Sequence, residues 1–199
     1  RLISYPPLLC RAPLPASSRA LRAFAPRECA KLDAACLGFL IYLEHTEVLD
    51  ASFRMPKEIF NTYLSDLLDE LGKSKNAYKS RARVMVVGSV MANPEFIKCI
   101  EGQGALVVTD ELCTSTRYWS DPVVLKDNEP VMKSLSRRYL NNFPCARMVP
   151  SDERFRRILE LVRDFKVDGV ISQVIRYCVP YAHDVPLLRE KLNDIGIQM

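Results

Sequence analysis

Seven side chains between residues 89 and 183 of this 199-residue chain have types and spacing that could do chemistry: Ser89, Cys113, Thr114, Arg117, Arg176, Cys178 and His183. Two are thiols beside arginines. Cys113 stands in Asp110-Glu111-Leu112-Cys113-Thr114-Ser115-Thr116-Arg117, and Cys178 in Arg176-Tyr177-Cys178-Val179-Pro180-Tyr181-Ala182-His183. Thiolates are strong ligands for iron–sulfur clusters, but free cysteine is also a common packed residue, and the residues alone leave both readings open for each. Gly88-Ser89 could cradle a phosphate or carbonyl on backbone N–H groups, or be a plain tight turn. Without GxGxxG or a Walker lysine the turn is favoured. His183 could carry a proton or be a satisfied loop residue ahead of Asp184, a candidate N-cap. No Ser-His-Asp order, GxSxG or HExxH is present.

These residues need elements that hold them together. Short apolar runs at 83–88, 105–109 and 167–171 read as buried strands, and helical patterns fall at 94–102, 130–141, 152–166 and 184–195. Continuous apolar strands alternating with helices imply a doubly wound α/β fold, a parallel sheet covered on both faces. Ligands of such sheets bind outside the carboxyl ends of the strands. The loops at 88–91, 110–119 and 173–183 therefore gather on one edge. Cys145, between two helices, and Cys99, on the 94–102 helix, read as structural.

Ahead of this lobe, Ile59, Phe60, Tyr63, Leu64, Leu67, Leu68 and Leu71 mark an amphipathic helix over 56–72, with Pro56 in its first turn and Gly72 as its stop. The domain division is an irregular Pro/Ala/Arg-rich segment at 1–35, a helical segment and linker at 36–80, and an α/β lobe at 81–199 cut short at its end. Lys73, Lys75, Lys79, Arg81 and Arg83 form the only local charge excess. With one aromatic nearby they read as a solvated linker, not a nucleic-acid patch.

Composition narrows the class. Hydrophobic residues make up 48% and charged residues 26%, with net charge +4, which is globular. Seven cysteines without a CxxC, in an odd count, argue for free or metal-bound thiols in a reducing cytoplasm. No apolar run is long enough to span a membrane. Cys10, Cys29, Cys36 and His45 have no motif around them. Arg1 in place of Met, and an ending at Gly196-Ile197-Gln198-Met199 where another strand is due, suggest a fragment.

Four blocks in fixed order are more specific than any single residue: RARVMVVGS (81–89), IEGQGALVVTDELCTSTRYW (100–119), RRYLNNFPCARM (137–148) and VDGVISQVIRYCVPYAHDVPLLREKLNDIGI (167–197). Over residues 55–199 the chain resembles the 2-hydroxyglutaryl-CoA dehydratase and benzoyl-CoA reductase family, in particular the C-terminal lobe of a cluster-carrying 2-hydroxyacyl-CoA dehydratase subunit. Residues 1–40 do not share the likeness. The resemblance implies flavodoxin-like lobes around a 4Fe-4S cluster, a heterodimer made with a sister subunit, and a separate ATP-dependent iron–sulfur activator that supplies one electron. It implies loss of water from an (R)-2-hydroxyacyl-CoA to give an enoyl-CoA through a ketyl radical, or, in the reductase branch, reduction of an aromatic ring. Mapped onto this chain, it makes Cys178 a metal ligand and Cys113 a second candidate. Cys113, Thr114, Arg117 and Arg176 would line the cofactor and thioester site, and Ser89 and His183 would act catalytically. The other two ligands are expected from an N-terminal lobe. The alternative role is a non-catalytic α/β assembly module without its cluster.

Overall fold

The computed structural model describes residues 47–48, 51–73, 80–91, 93, 95–119, 123–126, 128–142 and 144–199. The segment 1–35, Cys10, Cys29, Cys36, His45, Pro94 and residues 74–79 of the linker lie outside them. The described elements run α1 (Lys57–Lys73), β1 (Ala82–Gly88), α2 (Glu95–Gly102), β2 (Ala105–Glu111), α3 (Thr116–Trp119), α4 (Val131–Leu140), α5 (Asp152–Asp164), β3 (Gly169–Gln173) and α6 (Val179–Asn193). The three strands form a parallel sheet in the order β2-β1-β3. Gln198 adds a parallel bridge to Gly169 on the outer side of β3.

Alternation along β1 explains the two covered faces. Met85 and Val87 join Leu106, Val108 and Val170 in a cluster with Phe155, Ile158, Leu161 and Val162 of α5 and Leu188 and Leu192 of α6. Val84 and Val86 face the other way, toward Val107, Leu112 and Ile97 of α2. A strand buried on both sides tends to be apolar at successive positions, which is why β1 and the first half of β2 read so clearly in the sequence. Phe60 and Leu64 of α1 form a separate small cluster with Val48, Ala51, Met55, Leu67 and Leu68.

Several boundaries differ from those the sequence predicts. α1 starts at Lys57 and runs through Gly72 to Lys73, so Pro56 precedes the helix and Gly72 does not stop it. β2 extends past Thr109 to Glu111; its edge position beside β1 continues because Asp110 and Glu111 pair with Val86 and Val87. β3 starts at Gly169, not Val167. Before it, Asp168 is taken up by Arg83: its N–H donates to the Arg83 carbonyl (2.7 Å) and its carboxylate accepts from the Arg83 N–H (2.7 Å). α6 begins at Val179 rather than Asp184, with Pro180 in its first turn, a position where the missing N–H costs nothing. Cys99 is exposed rather than packed, because it stands two residues from buried Ile97 and so on the opposite side of α2.

Candidate functional site at the carboxyl edge of the sheet

The three loops expected on one edge do meet there. Their junction is Gly88. It has φ +142°, and a Cβ on it would overlap the Gln173 carbonyl oxygen, so only glycine lets β1 approach β3 this closely. Ser89 completes the seam. Its N–H donates to the Gln173 carbonyl (3.1 Å), and its hydroxyl accepts from the Ile175 N–H (2.8 Å). Ser89 is 2% exposed. Gly88-Ser89 is therefore a turn whose Ser89 N–H is already paired, and the Ser89 hydroxyl anchors the loop after β3.

The end of β2 is organised around Asp110, which is fully buried. One carboxylate oxygen accepts from the N–H groups of Leu112 (2.9 Å) and Thr116 (3.2 Å). The other accepts from the hydroxyls of Ser115 and Thr116 (3.0 Å). One side chain thus folds the Cys113 turn and starts α3. Sequence reasoning places Asp110 on this edge but gives it no role; the Asp-x-x-x-x-Ser-Thr spacing is the signal that could have supplied one.

Glu111, next along the strand, pairs in register with Val87 and so lies on the α5/α6 face. It forms an ion pair with Arg117, whose side chain is 8% exposed, and accepts from the Tyr181 hydroxyl (3.4 Å). Burial pushes the Glu111 carboxyl well above its ordinary range, and neighbouring Asp110 adds to this while Arg154 opposes it. Arg117 is lowered to about 10, also by burial first. Its guanidinium stands 5.3 Å from the Tyr181 ring centroid and donates to the Cys113 sulfur (3.4 Å). Arg117 is turned inward, binding β2, the Cys113 turn and α6 to one another.

Cys113 is half-buried, and burial pushes its thiol up to about 11, with Cys145, Glu111 and Cys178 each adding in the same direction. Cys145 adds to that shift and so lies near Cys113, where the sequence suggests only a structural residue between helices. The placement is supported by Asn142, whose side chain donates to the Arg117 carbonyl (3.0 Å), and by Arg154, which donates to the Cys145 carbonyl (3.0 Å).

Cys178 is the N-cap residue of α6 and half-buried. The preceding Tyr177 has φ +70° and is 88% exposed, a conformation that costs a bulky residue energy. Thr114 and Arg176 are exposed on their loops. His183 lies inside α6 on its exposed side, and Asp184 is not the cap but the ion-pair partner of Arg154. Arg154 is the residue that sequence reasoning misses. It is 1% exposed, and its signal is present: it lies four and seven residues before Ile158 and Leu161, in the apolar stripe of α5. Between these groups sits a small, mostly apolar cavity of about 10 Å³ lined by Val87, Phe155, Ile158 and Leu188 as well as by Glu111 and Arg154.

Among the described residues no three His, Cys, Asp or Glu side chains are grouped to hold a metal ion. Cys178 has the chemistry and the edge position of a single ligand. Any cluster bound there needs its remaining donors from outside the described residues.

Comparison with known proteins gives the site its context. Residues 35–199 match the family described as 2-hydroxyglutaryl-CoA dehydratase, D-component. The chain belongs to that family. It is 21% identical over 160 residues to the (R)-phenyllactyl-CoA dehydratase beta subunit of Clostridium sporogenes, covering 80% of this chain and 42% of that one. It is 25% identical over 152 residues to a benzoyl-CoA reductase subunit of Thauera aromatica, covering 74% of this chain and 39% of that one. The chain thus spans about two fifths of the length of these relatives. Residues 8–56 match a second family, described as a protein of unknown function (DUF494). Over 34 residues the chain is 47% identical to Protein Smg of Shigella boydii, covering 17% of this chain and 22% of that one. Among the described residues no helix is long and apolar enough to cross a membrane.

Proposed function

We propose that this chain is a lobe of a 2-hydroxyacyl-CoA dehydratase subunit, working with a sister subunit and an ATP-dependent iron–sulfur activator to remove water from an (R)-2-hydroxyacyl-CoA. The observation that carries the reading is the position of Cys178. It heads α6 beside the β1–β3 seam, in a chain whose family consists of dehydratase components. In a 2-1-3 sheet that seam is the switch point where ligands bind. A 4Fe-4S cluster held there would relay the activator's single electron to the thioester carbonyl, a reversal of polarity that allows an elimination which acid–base groups alone perform poorly because the β-hydrogen is not acidic.

This chain's own residues would do the holding. Cys178 contributes one thiolate. Gly88 and Ser89 fix the loop that carries it. Asp110 and Arg117 set the opposite wall, and the neutral thiol of Cys113 packs within that wall. Arg176 and Thr114, exposed on the two loops, are available to a polar ligand such as the CoA thioester.

A ring-reducing acyl-CoA reductase is the second reading, favoured by the comparable similarity to the benzoyl-CoA reductase relative. The deciding experiment is an anaerobic assay of the protein with its sister subunit, activator and ATP. Enoyl-CoA formed from a 2-hydroxyacyl-CoA supports the dehydratase. Consumption of benzoyl-CoA with no dehydration supports the reductase. A colourless protein that docks its sister subunit but turns over neither substrate leaves the assembly-module role.

A further inference from the structure

A buried arginine with two arms ties together the segments that carry two of the thiols. Arg154 sits on the apolar stripe of α5, 1% exposed. Through Nη1 it donates to the Cys145 carbonyl (3.0 Å), and through Nη2 it pairs with Asp184 of α6, whose side chain is 15% exposed. Asp184 lies six residues after Cys178, and Tyr181 lies midway between them. Tyr181 and Asp184, three apart, are neighbours on one side of α6, and Cys178 is the N-cap residue immediately before its first turn. Tyr181 is held against Glu111 (3.4 Å), so the first turns of α6 are pinned to the sheet at one point and to α5 at another.

We propose that Arg154 is a positioning residue for the thiols at the sheet edge, setting Cys178 through Asp184 and Cys145 through its own carbonyl. Stability alone is a weak explanation for such a group. Replacing a buried ion pair by apolar residues of similar size is often neutral or favourable, whereas removing one partner is costly. What an apolar pair cannot reproduce is the fork. A guanidinium holds two acceptors at a fixed separation and angle, here one from the segment of Cys145 and one from the helix headed by Cys178. Arg154 also stands 5.2 Å from the Phe155 ring centroid, which limits its own freedom and makes the fork a rigid reference.

The inference rests on the reading that Cys178 serves the site, and its test is independent of any metal. Alkylation of each cysteine by iodoacetamide is timed by peptide mass spectrometry in the metal-free full chain at one pH, with exposed Cys99 on α2 as internal control. The double variant Arg154→Met/Asp184→Leu is expected to keep its melting temperature but to change the Cys178 and Cys145 rates by about threefold or more, with Cys99 unchanged. Arg154→Lys keeps the pair with Asp184 but lacks the second arm. It is expected to leave Cys178 near its original rate and to change Cys145 alone. Wild-type rates at both thiols in either variant would overturn the proposal, as would a change at Cys99 in step with them. A protein that takes up no iron would sink the cluster reading and leave this result standing.

Discussion

The loop after β2 and the loop after β3 leave the same edge of one sheet and each carries a cysteine, yet they are built differently. The first is closed by buried polar groups. Asp110 accepts four hydrogen bonds and Arg117 reaches both Glu111 and the Cys113 sulfur. The second is held at its root by Gly88 and Ser89 and is then open, with Ile175, Tyr177 and Val179 all exposed. The difference separates two jobs for one residue type. A thiol in the closed loop is half-buried, held by Arg117 and kept neutral. A thiol on the open loop heads a helix fixed from behind. Cysteine count and motif likeness do not distinguish these cases; the partners of the residues around each cysteine do.

The largest expected effect comes from breaking the root the two loops share. Gly88→Ala places a carbon against the Gln173 carbonyl and should cost more than about 4 kcal/mol, or prevent folding; a denaturant titration reads this. Next is the closed loop. Asp110→Ala orphans the buried N–H groups of Leu112 and Thr116 and should cost about 3 kcal/mol. In the same variant Cys113 should become reactive while Cys178 is unchanged. If both thiols respond equally, the two loops are not independent and the comparison fails.

A pH series sharpens the contrast. The Cys113 thiol is raised from about 9 to about 11 in the folded protein. The folded state therefore favours the neutral form. Its contribution to stability is fully present below about pH 9 and is lost as pH rises through about 11. Urea midpoints should fall over that window in the wild-type protein and fall less steeply in Cys113→Ala. At pH 8 only about one Cys113 in a thousand is a thiolate, so it should alkylate far more slowly than Cys99. The smallest effect belongs to the open loop. Tyr177→Gly relieves a left-handed conformation and should raise stability by about 1 kcal/mol, read as a higher melting temperature.

The sheet is legible in the sequence because β1 and the first half of β2 are buried on both faces and almost continuously apolar. The convergence of loops is legible too, since it follows from parallel strands alone. The end of β2 is not. Asp110 and Glu111 look like loop residues, and only tertiary partners (Ser115, Thr116, Arg117, Tyr181) make burying them tolerable. The same holds for Asp184, which resembles an N-cap until Arg154 is seen opposite. Arg117 reads as a ligand-binding cation because sequence reports charge and not direction. Cys145 looks like a structural residue between helices, and its neighbourhood is set by contacts distant in sequence, Asn142 with the Arg117 carbonyl and Arg154 with the Cys145 carbonyl.

The central claim is that Cys178, and not Cys113, is the thiol this lobe gives to a metal cluster. It is tested most directly by iron and acid-labile sulfide analysis of the protein reconstituted anaerobically with its sister subunit, in wild-type, Cys178→Ser and Cys113→Ser forms. The account predicts that iron and sulfide are lost in Cys178→Ser and retained in Cys113→Ser. Retention in Cys178→Ser, loss in Cys113→Ser alone, or no uptake by the wild-type protein would contradict it.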